Sequence, residues 1–136
     1  MTYLLDINAL VALGFLQHEF HGRVTRWVKA LTSSGIPEFA TCSLTELGFV
    51  RVLAQTPQYG ITVAQGKDLL SRMKARRVVN FTFFADTHGA SDLPQWVKSP
   101  KQITDGHLLE LARAHGGVLA TLDERIPRAM LIPNKH

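Results

Sequence analysis

Four acidic residues occupy positions where a carboxylate could take part in chemistry: Asp6, Glu46, Asp105 and Asp123. Asp6 and Asp123 each follow a short apolar run that is typical of a buried strand, and ligands of open parallel sheets bind at the carboxyl ends of the strands. Both aspartates also precede predicted helical turns, where Asp is a favoured N-cap residue. Each position is therefore compatible with a helix cap and with a binding site.

Glu46 falls on the apolar face of a predicted helix. At helical spacing it shares that face with three apolar residues, Phe49, Val50 and Leu53. The spacing from Ser43 to Glu46 also fits a capping box, in which the Glu carboxylate reaches back to the cap residue. A capping role and a site role are geometrically compatible, so both stay open for Glu46.

Asp105 lies in the first turn of another predicted helix, where the helix dipole favours a negative charge. Its neighbours at i+3, i+4 and i+7 are apolar: Leu108, Leu109 and Ala112. No Lys or Arg occupies i+3 or i+4. A carboxylate directed toward a core must be paired, protonated or bound to a cation, so this pattern favours a cation site.

Grouped carboxylates have a specific inorganic chemistry. Oxygen-rich acidic clusters suit hard divalent ions such as Mg²⁺ or Mn²⁺. A bound ion cancels the repulsion that otherwise raises the pKa values of neighbouring carboxylates. The same ion can activate a water molecule and stabilise charge on a phosphate.

Strands and helices alternate along the predicted chain. We predict strands over residues 2–5, 39–42, 78–84, 118–121 and 129–132, and helices over 7–17, 19–32, 43–54, 62–75 and 103–115, with a further short helix near 93–98. This alternation predicts an α/β domain whose largely parallel sheet is flanked by helices on both faces. The length of 136 residues fits one domain, 1–136.

Composition limits the class of protein. One cysteine excludes an intramolecular disulfide, and the longest uninterrupted apolar stretch, residues 9–16, is too short to span a membrane. The amino terminus lacks the basic region of a signal peptide, so we expect a cytoplasmic protein without membrane contact. Fifteen Lys and Arg against eleven Asp and Glu give a net charge of +4, which attracts polyanions. The candidate contacts with the phosphates of such a polyanion are Arg23, Arg26, Arg76 and Arg77.

Four segments resemble the successive motifs of PIN-domain ribonucleases. They are residues 4–10 (LLDINAL), 43–47 (SLTEL), 103–109 (ITDGHLL) and 119–123 (LATLD), in order over nearly the whole chain. The resemblance is closest to the VapC-like toxin of VapBC toxin–antitoxin pairs. It implies that Asp6, Glu46, Asp105 and Asp123 are the catalytic and metal-binding acids, supported by Asn8 and Thr121.

The resemblance also implies an activity and partners. We expect a Mg²⁺- or Mn²⁺-dependent endoribonuclease that acts on a structured cellular RNA, is blocked by a cognate antitoxin protein and forms a homodimer. Asn8 is a mild departure, because many relatives carry Ser or Thr there.

Two other functions stay open at this point. The sequence Asp6-Ile7-Asn8 is similar to the Asp-x-Asp opening of haloacid-dehalogenase-like phosphatases, but Asn8 cannot serve as the second acid. A non-catalytic RNA- or protein-binding PIN-like module would be favoured by the loss of an acid, and none is missing. The segment His18-Glu19-Phe20-His21 lacks the i, i+4 histidine spacing of zinc proteases, so we interpret it as a solvated helix start.

Overall fold

The structure is a computed structural model that describes residues 1–134. Residues 135 and 136 of the predicted domain lie outside the described residues. The strands are β1 (Thr2–Leu5), β2 (Glu38–Thr41), β3 (Asn80–Phe83), β4 (Val118–Thr121) and β5 (Met130–Leu131). The helices are α1 (Ile7–Gly14), α2 (His21–Thr32), α3 (Ser43–Gln55), α4 (Val63–Ala75) and α5 (Ile103–Ala114).

The five strands form one sheet in the order β3-β2-β1-β4-β5, and every pairing is parallel. β1 lies at the centre, with Leu4 opposite Ala40 on one side and Leu119 on the other. Because all strands run the same way, their carboxyl ends meet at a single edge of the sheet. The prediction of a parallel α/β sheet is confirmed.

Alternate residues of the central strands point into two separate cores. Leu5 and Phe39 pack with residues of α1 to α4, and Leu4 packs with Leu108 and Leu111 of α5. Helices therefore cover both faces, as predicted, with four helices on one side and α5 on the other. Among residues 1–134, no helix is both long and apolar enough to cross a membrane.

The first helix is three residues shorter than predicted. Phe15 leaves the helical conformation for extended backbone (φ −123°, ψ 111°), and its ring packs on Tyr59 at 4.5 Å between centroids. At the last residue of α1, Gly14 leaves room for the ring of Phe49, because a Cβ there would lie 2.8 Å from that ring. Residues 15–20 form a connecting segment instead, and α2 begins at His21 rather than at residue 19.

The predicted short helix over residues 93–98 is wrong. Pro94 lies within this region, Pro100 follows it, and Leu93 has extended backbone. Short 3₁₀ turns form on either side, Ala90–Asp92 and Pro100–Gln102. A proline removes a backbone donor and disfavours helical backbone in the residue before it. Trp96, within this segment, packs against the α5 side of the sheet.

Candidate carboxylate site

Asp6 lies at the end of β1 and caps α1. Its Oδ1 accepts the backbone N–H of Ala9 at 2.8 Å, and its Oδ2 accepts the hydroxyl of Thr121 at the end of β4. Only 7% of the residue is exposed. The sequence left open whether Asp6 is a helix cap or a site residue. In the structure its carboxylate caps α1 with one oxygen and contacts the neighbouring strand, at Thr121, with the other.

Burial is the largest influence on the charge of Asp6. It raises the pKa of this carboxyl to about 6, against the lowering effects of the bonds from Thr121 and Ala9. The negative charges of Asp105 and Asp123 raise the pKa further. Within residues 1–134, Asp6 forms no ion pair. A buried carboxylate near two other acids, with no protein cation on it, favours a bound cation.

Asp105 lies in the first turn of α5, half-buried, on the stripe that carries the buried Leu108. Burial and the charge of Asp123 raise its pKa, and Arg125 lowers it. The following residue, Gly106, lets the preceding loop pass close to the helix, because a Cβ there would lie 2.4 Å from Val97. This close packing fixes the start of α5 against the loop.

Asp123 follows β4 and is held by its own chain. Its backbone N–H donates to Thr121 Oγ1 at 2.9 Å. The guanidinium of Arg125 donates to both carboxylate oxygens, from Nε to Oδ1 at 3.0 Å and from Nη2 to Oδ2 at 3.1 Å. The hydrogen bonds from Arg125 lower the pKa of the Asp123 carboxyl. Arg125 was missed from the sequence, although its spacing of two residues from Asp123 could have indicated the pair.

Glu46 has different partners from the three aspartates. Its Oε2 accepts the Thr41 hydroxyl and the Lys74 ammonium, each at 2.6 Å. The predicted capping box from Ser43 is wrong. Cys42 is the cap residue, and its backbone N–H donates to the side chain of Thr45 at 2.9 Å.

The three aspartates line adjoining cavities in pairs. Asp6 and Asp123 line a cleft of about 620 Å³, Asp6 and Asp105 a cavity of about 210 Å³, and Asp105 and Asp123 one of about 200 Å³. Glu46 lines none of these three. Asn8 is exposed and lines two of them. Thr121 bonds to Asp6 and to the backbone of Asp123, and so ties two of the acids together.

The donor chemistry of these three aspartates fits a hard divalent cation. All the side-chain donors are carboxylate oxygens, which Mg²⁺ and Mn²⁺ prefer. Burial raises the pKa of Asp6 despite its two hydrogen bonds, so these bonds do not fully offset the cost of burying its charge. As the side chains stand in the described part of the chain, no three His, Cys, Asp or Glu residues form a closed ligand group. Both carboxylate oxygens of Asp123 accept hydrogen bonds from Arg125.

The predicted RNA-contacting arginines are dispersed. Arg23 lines the 620 Å³ cleft beside Asp6 and Asp123. Arg26 is exposed on the same helix. Arg76 and Arg77 are exposed between α4 and β3, and Arg76 lines another cavity that no site acid shares.

Comparison with known proteins identifies a family and several relatives. The PIN domain model matches residues 3–130. Ribonuclease VapC44 of Mycobacterium tuberculosis is 39% identical over 132 residues, which are 93% of this chain and 89% of the relative. Ribonuclease VapC38 of the same organism is 41% identical over 125 residues, 88% of this chain and 84% of the relative.

Two solved structures have the same fold. One is VapBC2 from Rickettsia felis bound to a DNA fragment from its promoter, with a TM-score of 0.60 and 16% identity over 96% of this chain and 97% of that chain. The other is VapC20 of Mycobacterium tuberculosis, described as a toxin that cleaves the sarcin–ricin loop, with a TM-score of 0.60 and 15% identity over 96% and 99% of the two chains.

Proposed function

This chain belongs to the PIN-domain family, alongside the VapC ribonucleases, and from that premise we propose that it is a metal-dependent endoribonuclease. The observation that carries the metal dependence is the arrangement of Asp6, Asp105 and Asp123, which line adjoining cavities in pairs at the carboxyl edge of the sheet. The raised pKa of the buried Asp6 adds to it. Such a site suits phosphodiester hydrolysis better than a phosphatase that needs an acid at the position of Asn8.

The residues of the proposed site divide into metal ligands and supporting groups. Asp6, Asp105 and Asp123 would hold Mg²⁺ or Mn²⁺, and Glu46 would complete the coordination or orient the attacking water. When bound, the ion lowers the pKa of a coordinated water and offsets charge on the phosphate. Thr121 fixes the carboxylate of Asp6 through its hydroxyl and the backbone of Asp123 through its oxygen. Asn8, exposed at the cleft, supplies a further polar group.

RNA binding would rest on the basic surface. The net charge of +4 attracts the RNA backbone although the site itself is acidic. Of the candidate phosphate contacts, Arg23 has the best position, because it lines the same cleft as Asp6. Arg26, Arg76 and Arg77 are exposed and would extend the path of the RNA away from the site.

The proposed biological setting is a type II toxin–antitoxin pair in the cytoplasm. Its elements are a homodimer, a structured RNA substrate and an antitoxin that places an Arg or Lys against the acids. Arg125 supports this mode of inhibition, because it already makes a bidentate contact with Asp123 within the chain. Co-expression with the product of the neighbouring gene should give a tight, inactive complex. Purification from the native host of a protein that is active alone and harmless when overproduced would contradict the pairing.

The activity is tested with purified protein on structured RNA. We expect cleavage with Mg²⁺ or Mn²⁺, none with EDTA, and none in Asp105→Asn, which keeps the side-chain shape and removes the charge. The matched control is Asp68→Asn, since Asp68 is an exposed aspartate that pairs with Arg72 on α4. Cleavage that survives EDTA, or full activity in Asp105→Asn, would overturn the proposal.

A further inference from the structure

The cleft beside Asp6 and Asp123 has a second wall that the carboxylate chemistry does not use. Its main residues are His18, Phe20 and Arg23, from the segment that joins α1 to α2 and from the first turns of α2. We propose that this wall is a nucleobase-binding subsite, in which a base next to the cut phosphate stacks on Phe20; the proposal rests on the proposed function.

The cleft has the size and the position that such a subsite needs. Its volume of about 620 Å³ lies within the range of roughly 300–1,000 Å³ for small-molecule sites and so admits a nucleotide. Asp6, Asp123 and Phe20 line this same cleft. A phosphate held at the aspartates would therefore leave its nucleoside, or the adjacent one, in the remainder of the cleft.

Phe20 is available to a ligand because the fold does not use its ring in the core. It belongs to neither hydrophobic cluster among residues 1–134, and 38% of the residue is exposed. Its neighbours are the imidazole of His18, 5.8 Å away between ring centroids, and the guanidinium of Arg23, 5.8 Å from the ring centre. An exposed aromatic ring beside a cation is the usual platform for unstacked bases.

Arg23 is fixed in place by the backbone. Its Nε and Nη2 donate to the carbonyl of Ile132 at 3.1 and 2.6 Å. The guanidinium is therefore pre-organised, and its charge balances the aspartates across the cleft. Less conformational entropy is lost when a ligand meets a side chain that is already held.

His18 offers a neutral hydrogen-bond donor at the same wall. The backbone N–H of Phe20 donates to His18 Nδ1 at 3.0 Å, so Nε2 is the nitrogen that carries the proton. Burial lowers the pKa of His18, which keeps the ring neutral near pH 7. The amides of Asn8 and Asn134 also line the cleft, and amides can pair with the edges of bases.

The test is RNA binding in the Asp105→Asn background, which prevents cleavage. The probes are fluorescein-labelled RNA decamers, each a homopolymer of one base, and an abasic decamer of the same length. Phe20→Leu should weaken binding of at least one base-bearing decamer by about 5- to 150-fold, the range of base–aromatic stacking, and leave the abasic decamer unaffected. Phe20→Trp should restore the affinity.

The matched control is Phe83→Leu, since Phe83 is 49% exposed and lies outside the cleft. It should bind every decamer like the parent. In the active protein, Phe20→Leu should raise KM and change kcat little, provided the base is held equally in ground and transition states. A thermal melt of each variant checks that it is folded.

The possible failures can be told apart. If wild type cleaves RNA but Phe20→Leu binds all decamers unchanged, the subsite is wrong and the ribonuclease assignment stands. If Phe20→Leu weakens only the complex with a protein partner, the cleft is a partner site and the proposal is overturned. If wild type neither cleaves nor binds RNA, both proposals fail.

Discussion

Asp6 and Glu46 each accept a hydrogen bond from a threonine at the end of a strand, but the fold gives the two carboxylates different charge partners. Asp6 directly follows β1 and accepts the hydroxyl of Thr121, whereas Glu46 lies in the first turn of α3 and accepts the hydroxyl of Thr41. Lys74 then approaches Glu46 to 2.6 Å, whereas Asp6 has no cation partner among residues 1–134. The parallel strands bring these carboxylates toward one edge of the sheet. A lysine on α4 neutralises Glu46, and no such cation reaches Asp6 in the described residues.

This difference separates two kinds of carboxylate. The charge of a paired acid such as Glu46 is compensated by its partner, so burying this carboxylate costs little free energy. An unpaired, buried acid such as Asp6 carries a cost near neutral pH that a bound cation would remove. The comparison predicts that the two residues respond in different ways to substitution, pH and metal.

The largest expected effect is on RNA cleavage. Asp6→Asn keeps an oxygen that can accept the Ala9 N–H and removes the charge, so the protein should fold and lose activity by at least about 100-fold, the scale for loss of one preorganised electrostatic group. Glu46→Gln should lose less, because Lys74 already neutralises that carboxylate. Initial rates in Mn²⁺ compare the two variants. Equal losses would show that both carboxylates serve the metal in the same way.

The second prediction concerns stability against pH in EDTA. Because the pKa of Asp6 is raised from 3.8 to about 6, the folded state binds more protons than the unfolded state between these values. Lowering the pH from 7.5 to 5 should therefore increase the contribution of Asp6 to the free energy of unfolding, by about 1 kcal/mol. Urea titrations at both pH values measure it, with Asp6→Asn subtracting all other groups. An identical pH response in the variant would contradict the raised pKa.

The third prediction tests the neutralised member of the comparison. Lys74→Met leaves the partly buried Glu46 carboxylate without its cation and should lower the free energy of unfolding by about 0.5–1 kcal/mol. The control is Arg72→Met on the same helix, whose pair with Asp68 is exposed and should contribute less. Urea unfolding at pH 7.5 in EDTA measures both. A larger loss of unfolding free energy in Arg72→Met than in Lys74→Met would contradict the stronger stabilisation expected from the Lys74–Glu46 pair.

The smallest expected effect concerns Arg125. Its side chain is 86% exposed and its guanidinium lies on Asp123, where it competes with a divalent cation. Arg125→Gln should therefore tighten Mn²⁺ binding by about 2- to 5-fold, which is the scale of a surface ion pair. The spectroscopic signal of free Mn²⁺ during titration gives the affinity, and Arg113→Gln, another exposed arginine in an ion pair, is the control. Weaker Mn²⁺ binding in Arg125→Gln would show that this guanidinium supports the site.

The sequence by itself determined the order of the five strands and of the five α-helices, and it indicated a largely parallel sheet. Short continuous apolar runs such as those before Asp6 and Asp123 are typical of buried strands, and helical connections between successive strands favour parallel pairing. The position of Asp105 on an apolar helix stripe predicted a partly buried carboxylate. Burial does raise the pKa of this carboxyl. These features are local, so nearby residues are enough to specify them.

Only the tertiary structure decided which acids are paired and with what. Lys74 lies 28 residues from Glu46, and Thr121 lies 115 residues from Asp6, so no local pattern indicates either contact. The close approach of Gly14 in α1 to the ring of Phe49 in α3 is likewise a contact between remote segments. Charge compensation and helix–helix contacts depend on distances between segments remote in sequence, and packing sets those distances.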